Sequence, residues 1–228
     1  MRKPWVKLPS AWINEGGLQN FRWVGKAGSN ADNTTALMTL IALAHHADDQ
    51  SGVGFITYDL LEMLIGRSRA KLARGLAILE ERSIIEREGG GRSYYGLLRF
   101  DPTRDWAKLP CKSLYHGDRM AFFDDFTLRK PAELNALKLY LLFAARRGDD
   151  TNMANISYDK ITEYSGIARE HIKAGLSVLA INNLAHVERV PSAKNEFGIS
   201  NAYRLTGIES HIHMGTRGRG MDAALFGS

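Results

Sequence analysis

Ile56-Thr57-Tyr58-Asp59 returns one hundred residues later as Ile156-Ser157-Tyr158-Asp159. The match continues without gaps: Gly66 meets Gly166, Arg69 meets Arg169, Gly75-Leu76 meets Gly175-Leu176, and Leu79 meets Leu179. Upstream, Ala36-Leu37 meets Ala136-Leu137 and Ala44 meets Ala144. At the front, Trp5-Val6-Lys7-Leu8-Pro9 meets Trp106-Ala107-Lys108-Leu109-Pro110, the offset now one residue longer. A collinear series of this extent reads as a duplication, with a period too long for a solenoid unit and suited to one small domain per copy. It divides the 228 residues into 1–103, 104–206 and a tail, 207–228. Asp101-Pro102-Thr103-Arg104-Asp105 is the expected linker.

Within the first copy, Leu37, Leu40, Ile41 and Ala44 recur at helical spacing, predicting a helix from Thr34 to Ala47 with Asn33 as its N-cap. Val53 to Ile56 reads as a short strand. Thr57 caps a helix from Tyr58 to about Ile65, which Gly66 ends in the left-handed conformation. Ser68 caps a longer helix to about Arg82 with Leu72, Leu76 and Leu79 inward. A hairpin follows: Ile84 to Arg87, a turn at Gly89-Gly90-Gly91, and a return strand from Tyr94 to Phe100. The second copy repeats the order. Its helix begins at Pro131, Ser157 is a cap, Gly166 a turn, Ala168 to Asn182 a helix, and Leu184 to Val190 with Ile199 to Leu205 a hairpin.

The fold class this predicts is α+β, mainly α, as two duplicated winged helix-turn-helix domains in tandem, because three helices followed by a β-hairpin form the winged-helix arrangement. The whole resembles the tandem winged-helix proteins of plasmids and phages, in particular replication initiators and replication-associated regulators. Trp5-Val6-Lys7-Leu8-Pro9, read as an extended N-terminal arm, is similar to the start of several phage replication proteins. The resemblance implies sequence-specific binding of double-stranded DNA by a non-enzymatic protein, as an origin-binding initiator or regulator of a plasmid, phage or integrative element. A transcription repressor or activator is the alternative, and a winged-helix interaction subunit of a larger nucleoprotein complex is a second one. The partners expected are duplex DNA and either a second copy of the chain or a replication or transcription protein, with no cofactor, no metal and no membrane. The expected place is cytoplasmic, at the nucleoid or plasmid.

Helix-turn-helix proteins enter the major groove with the N-terminal part of their last helix. In the first copy that part is Arg67-Ser68-Arg69-Ala70-Lys71-Leu72-Ala73-Arg74, four positive charges and no negative one. Ser68, Arg69 and Lys71 are expected at base edges or neighbouring phosphates and Arg67 beside them, since an arginine bridges two acceptors of guanine. Arg74, one turn on, is expected at phosphate. A solvated basic face is the competing reading of such a cluster. The second copy offers Arg169, His171 and Lys173 against Glu170, a weaker head that reads either DNA or protein. Candidate hairpin contacts are Arg87, Arg92, Ser93 and Tyr94 in one copy, and Arg189 and Lys194 in the other. Two unlike heads on one chain predict an asymmetric or directly repeated target rather than a strict palindrome.

Hydrophobic residues at 44% and charged residues at 24% suit a folded globular chain and exclude a mainly disordered one. The longest apolar run, around Leu37 to Ala44, falls well short of the roughly 20 residues of a membrane span, and Pro4, Lys7 and Pro9 break any secretory leader. One cysteine, Cys111, permits no internal disulfide and no cysteine-rich zinc site. The net charge of +5 allows a nucleic-acid partner, so the placement of charge decides more than its sum. His211-Ile212-His213 matches the histidine pair of rolling-circle nicking enzymes but lies beyond both copies, so surface histidines are the reading preferred. Gly89-Gly90-Gly91-Arg92 lacks the Gly-Lys-Ser/Thr ending of a phosphate loop. His45-His46 is expected to close a helix, favoured there by the helix dipole.

Overall fold

A computed structural model describes residues 3–25, 28–87, 93–149, 151–191 and 199–208. The fold is α+β and mainly helical, with small antiparallel sheets. The first half runs β1 (Trp5–Pro9), α1 (Ala11–Asn14), a 3-10 turn (Gly17–Asn20), α2 (Ser29–His46), β2 (Val53–Phe55), α3 (Tyr58–Ile65), α4 (Arg69–Glu81), β3 (Ile85–Arg87) and β4 (Tyr94–Leu97). The second half runs β5 (Trp106–Pro110), two 3-10 turns (Lys112–Leu114 and Ala121–Phe123), α5 (Pro131–Arg146), β6 (Met153–Asn155), α6 (Tyr158–Ser165), α7 (Arg169–Ile181), β7 (Ala185–Pro191) and β8 (Ile199–Leu205). Each half closes with its own three-stranded sheet, β2-β4-β3 and β6-β8-β7. Among the described residues no helix is long and apolar enough to cross a membrane.

Helices α2 and α5 form the centre and pack on each other. Every residue from Asn33 to Ala44 and from Glu133 to Ala144 is buried, as befits helices enclosed on all sides. Three of their buried polar side chains find partners close in sequence. Thr34 Oγ1 and Thr35 Oγ1 donate to the carbonyls of Asn30 and Ala31, at 2.9 and 2.7 Å. Glu133 accepts from the backbone N–H and the hydroxyl of Thr127, at 2.8 and 2.9 Å. One hydrophobic cluster extends through both halves.

Helix α2 starts at Ser29, five residues before the expected Thr34, with Gly28 at the N-cap position. Asn33 is therefore inside the helix and caps nothing. Its Nδ2 donates to the Arg22 carbonyl at 2.9 Å and its Oδ1 accepts from Arg82 at 2.9 Å. Those tertiary bonds remove the local competition that makes asparagine favour caps.

The expected N-terminal arm is a strand. β1 pairs antiparallel with β5, its own repeat, in the register Trp5↔Pro110, Val6↔Leu109, Lys7↔Lys108, Leu8↔Ala107 and Pro9↔Trp106. One edge of each of these two strands is thereby paired with the other copy. Trp5 and Trp106 stack at 5.8 Å, with Lys7 over Trp106 at 5.1 Å and Lys108 over Trp5 at 5.0 Å.

The segments that follow β1 and β5 cross to the opposite half. After β1, α1 packs on α5 and the 3-10 turn on α6, where Gln19 Nε2 donates to the Glu163 carbonyl at 2.6 Å. After β5, the Met120 N–H donates to the Leu64 carbonyl at the end of α3, at 3.0 Å. The linker residues 101–105 are also tied down. Lys7 Nζ donates to the Pro102 carbonyl at 2.7 Å and the Ser10 N–H to the Asp105 carbonyl at 2.8 Å. Hydrogen bonds from Thr103, side chain first, and from Arg104 push the Asp101 carboxyl down to about 2.

Candidate nucleic-acid interface

Both halves build the same two-helix turn. Thr57 Oγ1 accepts from the Leu60 N–H at 3.2 Å and Ser157 Oγ from the Lys160 N–H at 3.3 Å, capping α3 and α6. Both helices end on a left-handed glycine, Gly66 at φ 67° and Gly166 at φ 66°, a conformation that costs glycine no Cβ clash. The chain then enters α4 or α7. Ser68 stands at the N-cap of α4 as expected but makes no side-chain cap bond. Instead Glu62 of α3 accepts the Arg69 N–H at 3.0 Å.

One ion pair recurs at equivalent positions, Arg69 with Asp59 and Arg169 with Asp159. Each ties the first turn of the second helix to the first turn of the helix before it. Arg69 also meets Glu62, at 3.3 Å. The sequence carries this signal in the shared Tyr-Asp of the repeat and the arginine ten residues on. A basic run considered by itself does not reveal it, because the paired carboxylates sit on the preceding helix.

The four cations of the first copy are spent differently from the expected common face. Arg67 turns inward, its guanidinium donating to the carbonyls of Phe123 and Phe126 in the second half. Burial lowers its pKa, so this cation serves the junction between halves rather than a DNA surface. Arg74 meets Asp32 at 2.9 Å. Arg69 is paired as described. Lys71, partly exposed, has no hydrogen-bond or ion partner among the described residues. Pairs such as Arg69–Asp59, whose side chains are 61% and 81% exposed, hold at most about 1 kcal/mol. Exchange of such a partner for a phosphate is therefore cheap.

On the first hairpin, Arg87 meets Glu80 at 2.7 Å. Ser93 gives its carbonyl to the Ile56 N–H at 2.8 Å. Tyr94 is exposed and lies against Phe55, ring centroids 4.9 Å apart. Phe55, absent from the sequence-based candidates, is the outward member of the short strand whose next residue, Ile56, points inward. In the second half, Arg169, His171 and Lys173 are all exposed on the first turns of α7. Tyr158, Arg169, Glu170 and Lys173 line a surface depression of about 500 Å³. Arg189 is exposed on β7, an edge strand. Arg92, Lys194, the glycine turn 89–91, His211, His213 and the tail from residue 209 onward lie outside the described residues.

His45 and His46 occupy the last turn of α2, as expected. His45 Nδ1 also stands 3.1 Å from the Tyr115 hydroxyl of the second half. Cys111 is buried. Among the described residues no group of three or more His, Cys, Asp or Glu is gathered to hold a metal. No protein family, curated protein or solved structure matches the chain.

Proposed function

We propose that each half is a winged helix and that the protein binds double-stranded DNA sequence-specifically, through the first turns of α4 and α7 with the two hairpins as wings. The observation that carries this reading is the recurrence of one capped helix, left-handed glycine and second helix in both halves. Each second helix presents an accessible first turn with cationic side chains. Lys71 and, in the other half, Lys173 are the first contacts; Ser68, Arg69, His171 and Arg169 stand beside them. Arg74, Arg87 and Arg189 reach backbone phosphates from the flanks. The resemblance to plasmid and phage initiators extends the reading to recognition of a replication origin, with no reaction assigned to the protein.

Gel-shift titration of the full chain against random and genomic duplexes tests it. Affinity should fall as salt rises from about 50 to 200 mM, as counterion release requires. Replacing Lys71 and Lys173 together by alanine should weaken binding and flatten the log–log salt slope by roughly 0.9 for each phosphate that is no longer neutralised. Absence of any salt-sensitive duplex binding at low ionic strength overturns the proposal.

A further inference from the structure

We infer that one chain recognises an imperfect inverted repeat, two unlike half-sites in opposite orientation, rather than the asymmetric or directly repeated target that two unlike heads suggest. The inference rests on the reading of α4 and α7 as DNA-reading helices. Its ground is the β1–β5 register. Exchanging every residue for its repeat equivalent turns Trp5↔Pro110 into Trp106↔Pro9, and Val6↔Leu109 into Ala107↔Leu8, both already in the ladder. A ladder that maps onto itself in this way is isologous, and a two-fold rotation is the operation that produces it. A translation would pair unlike positions head to tail.

Three further observations agree with this axis. α2 packs on α5, so equivalent helices also meet each other. The cation–aromatic contacts are reciprocal, Lys7 on Trp106 and Lys108 on Trp5, at 5.1 and 5.0 Å. The crossing is reciprocal too: residues after β1 cover α6, and residues after β5 hydrogen-bond the end of α3. α4 is seated on α2, and α7 on α5. The same rotation therefore relates the two reading helices, and the anchored linker holds them in that relation.

Duplex DNA has two-fold axes of its own, and a two-fold reader aligns with one, meeting inverted half-sites about 10–10.5 bp apart. The half-sites differ because the heads differ. Ser68, Lys71 and Arg74 in one correspond to Ala168, His171 and Ala174 in the other, and Ala73 corresponds to Lys173. Since β1 and β5 satisfy each other, one chain fills one site.

Selection from a random-sequence duplex library with the full chain, followed by titration of the enriched site, decides this. The expected motif is an imperfect inverted repeat bound by one chain. Lys71→Ala should relax the sequence preference of one arm, and His171→Ala with Lys173→Ala that of the other. Reversing one arm to make a direct repeat, or inserting about half a turn between the arms, should lower affinity roughly 100-fold or more by uncoupling the heads. Enriched direct repeats, equal affinity for both arm orientations, or two chains per site overturns the inference while leaving DNA binding standing. No enrichment together with no salt-sensitive shift removes the DNA reading itself, and this inference with it.

Discussion

The second copy places Lys138 where the first has Met38, in the middle of a helix that is buried on every side. Lys138 is 3% exposed, and its ammonium donates to the Phe21 carbonyl at 2.9 Å. Burial, reinforced by the positive charges of Arg22 and Arg82, brings its pKa down to about 8 from the ordinary 10.5. Below pH 8 the amine is protonated whether the chain is folded or unfolded, and the folded state bears the whole penalty. Between about 8 and 10.5 the unfolded chain holds more protons, so stability rises with pH, by up to about 3 kcal/mol. Tyr140 and Tyr203 are pushed upward by burial and act in the opposite sense, but only as pH passes the ordinary tyrosine value of 10.0. Urea midpoints of the wild-type protein are therefore expected to rise between about pH 8 and 9.5, and Lys138→Met should abolish that rise. Parallel pH profiles for the two proteins would show that the lysine does not titrate as its burial requires. In the sequence Lys138 looks like any solvated helix lysine. Only the crossing of residues 17–22 onto α5 and α6 explains why it is covered.

At the level of elements, what the sequence made legible was local. Thr57, Ser157, Gly66 and Gly166 fall where expected because a cap or a left-handed turn is decided by a few neighbouring residues. The inward set Leu72, Leu76 and Leu79 was equally readable from helical spacing, and all three are fully buried. The start of α2 was not, because Asn33 answers to Arg22 and Arg82 rather than to its own helix. The DNA candidates were half legible for the same reason. A run of four cations reveals its charge, whereas the inward turn of Arg67 depends on carbonyls more than fifty residues away. The repeated glycine in α4 and α7 belongs to this scale too. A Cβ on Gly75 would lie 3.1 Å from the Ala36 nitrogen, 3.2 Å from its Cα and 3.3 Å from the Thr35 carbonyl carbon. All three atoms are backbone within buried α2, which has little room to give. Gly75→Ala gains up to about 1 kcal/mol of helix propensity, but overpacking costs about 1–3 kcal/mol. The expected result is net destabilisation in urea unfolding, and a higher midpoint than wild type would mean that α4 slides on α2 without cost.

For the whole molecule, the duplication is visible in the sequence but the relation between its copies is not. Periodicity reports which face of a helix is buried and is silent on which partner buries it. The partner here is in large part the other copy: α5 against α2, β5 against β1, and exchanged segments that lie on α6 and α3. Removing residues 104–228 leaves Leu64 without the Met120 N–H and Arg67 without the Phe123 and Phe126 carbonyls. It also bares one side of α2, where each fully buried aliphatic side chain contributes about 1.5–3 kcal/mol. A folded domain retains only about 5–15 kcal/mol in total, so exposure of a few such residues outweighs it. Residues 1–103 alone are accordingly expected to show no cooperative urea transition. Mixing them with residues 104–228 should restore a helical circular-dichroism signal and a single transition with the steepness of the intact chain, since that steepness follows the surface exposed on unfolding. A cooperative transition in the isolated fragment would instead establish the halves as autonomous domains, and the two-fold core as a docking of finished parts.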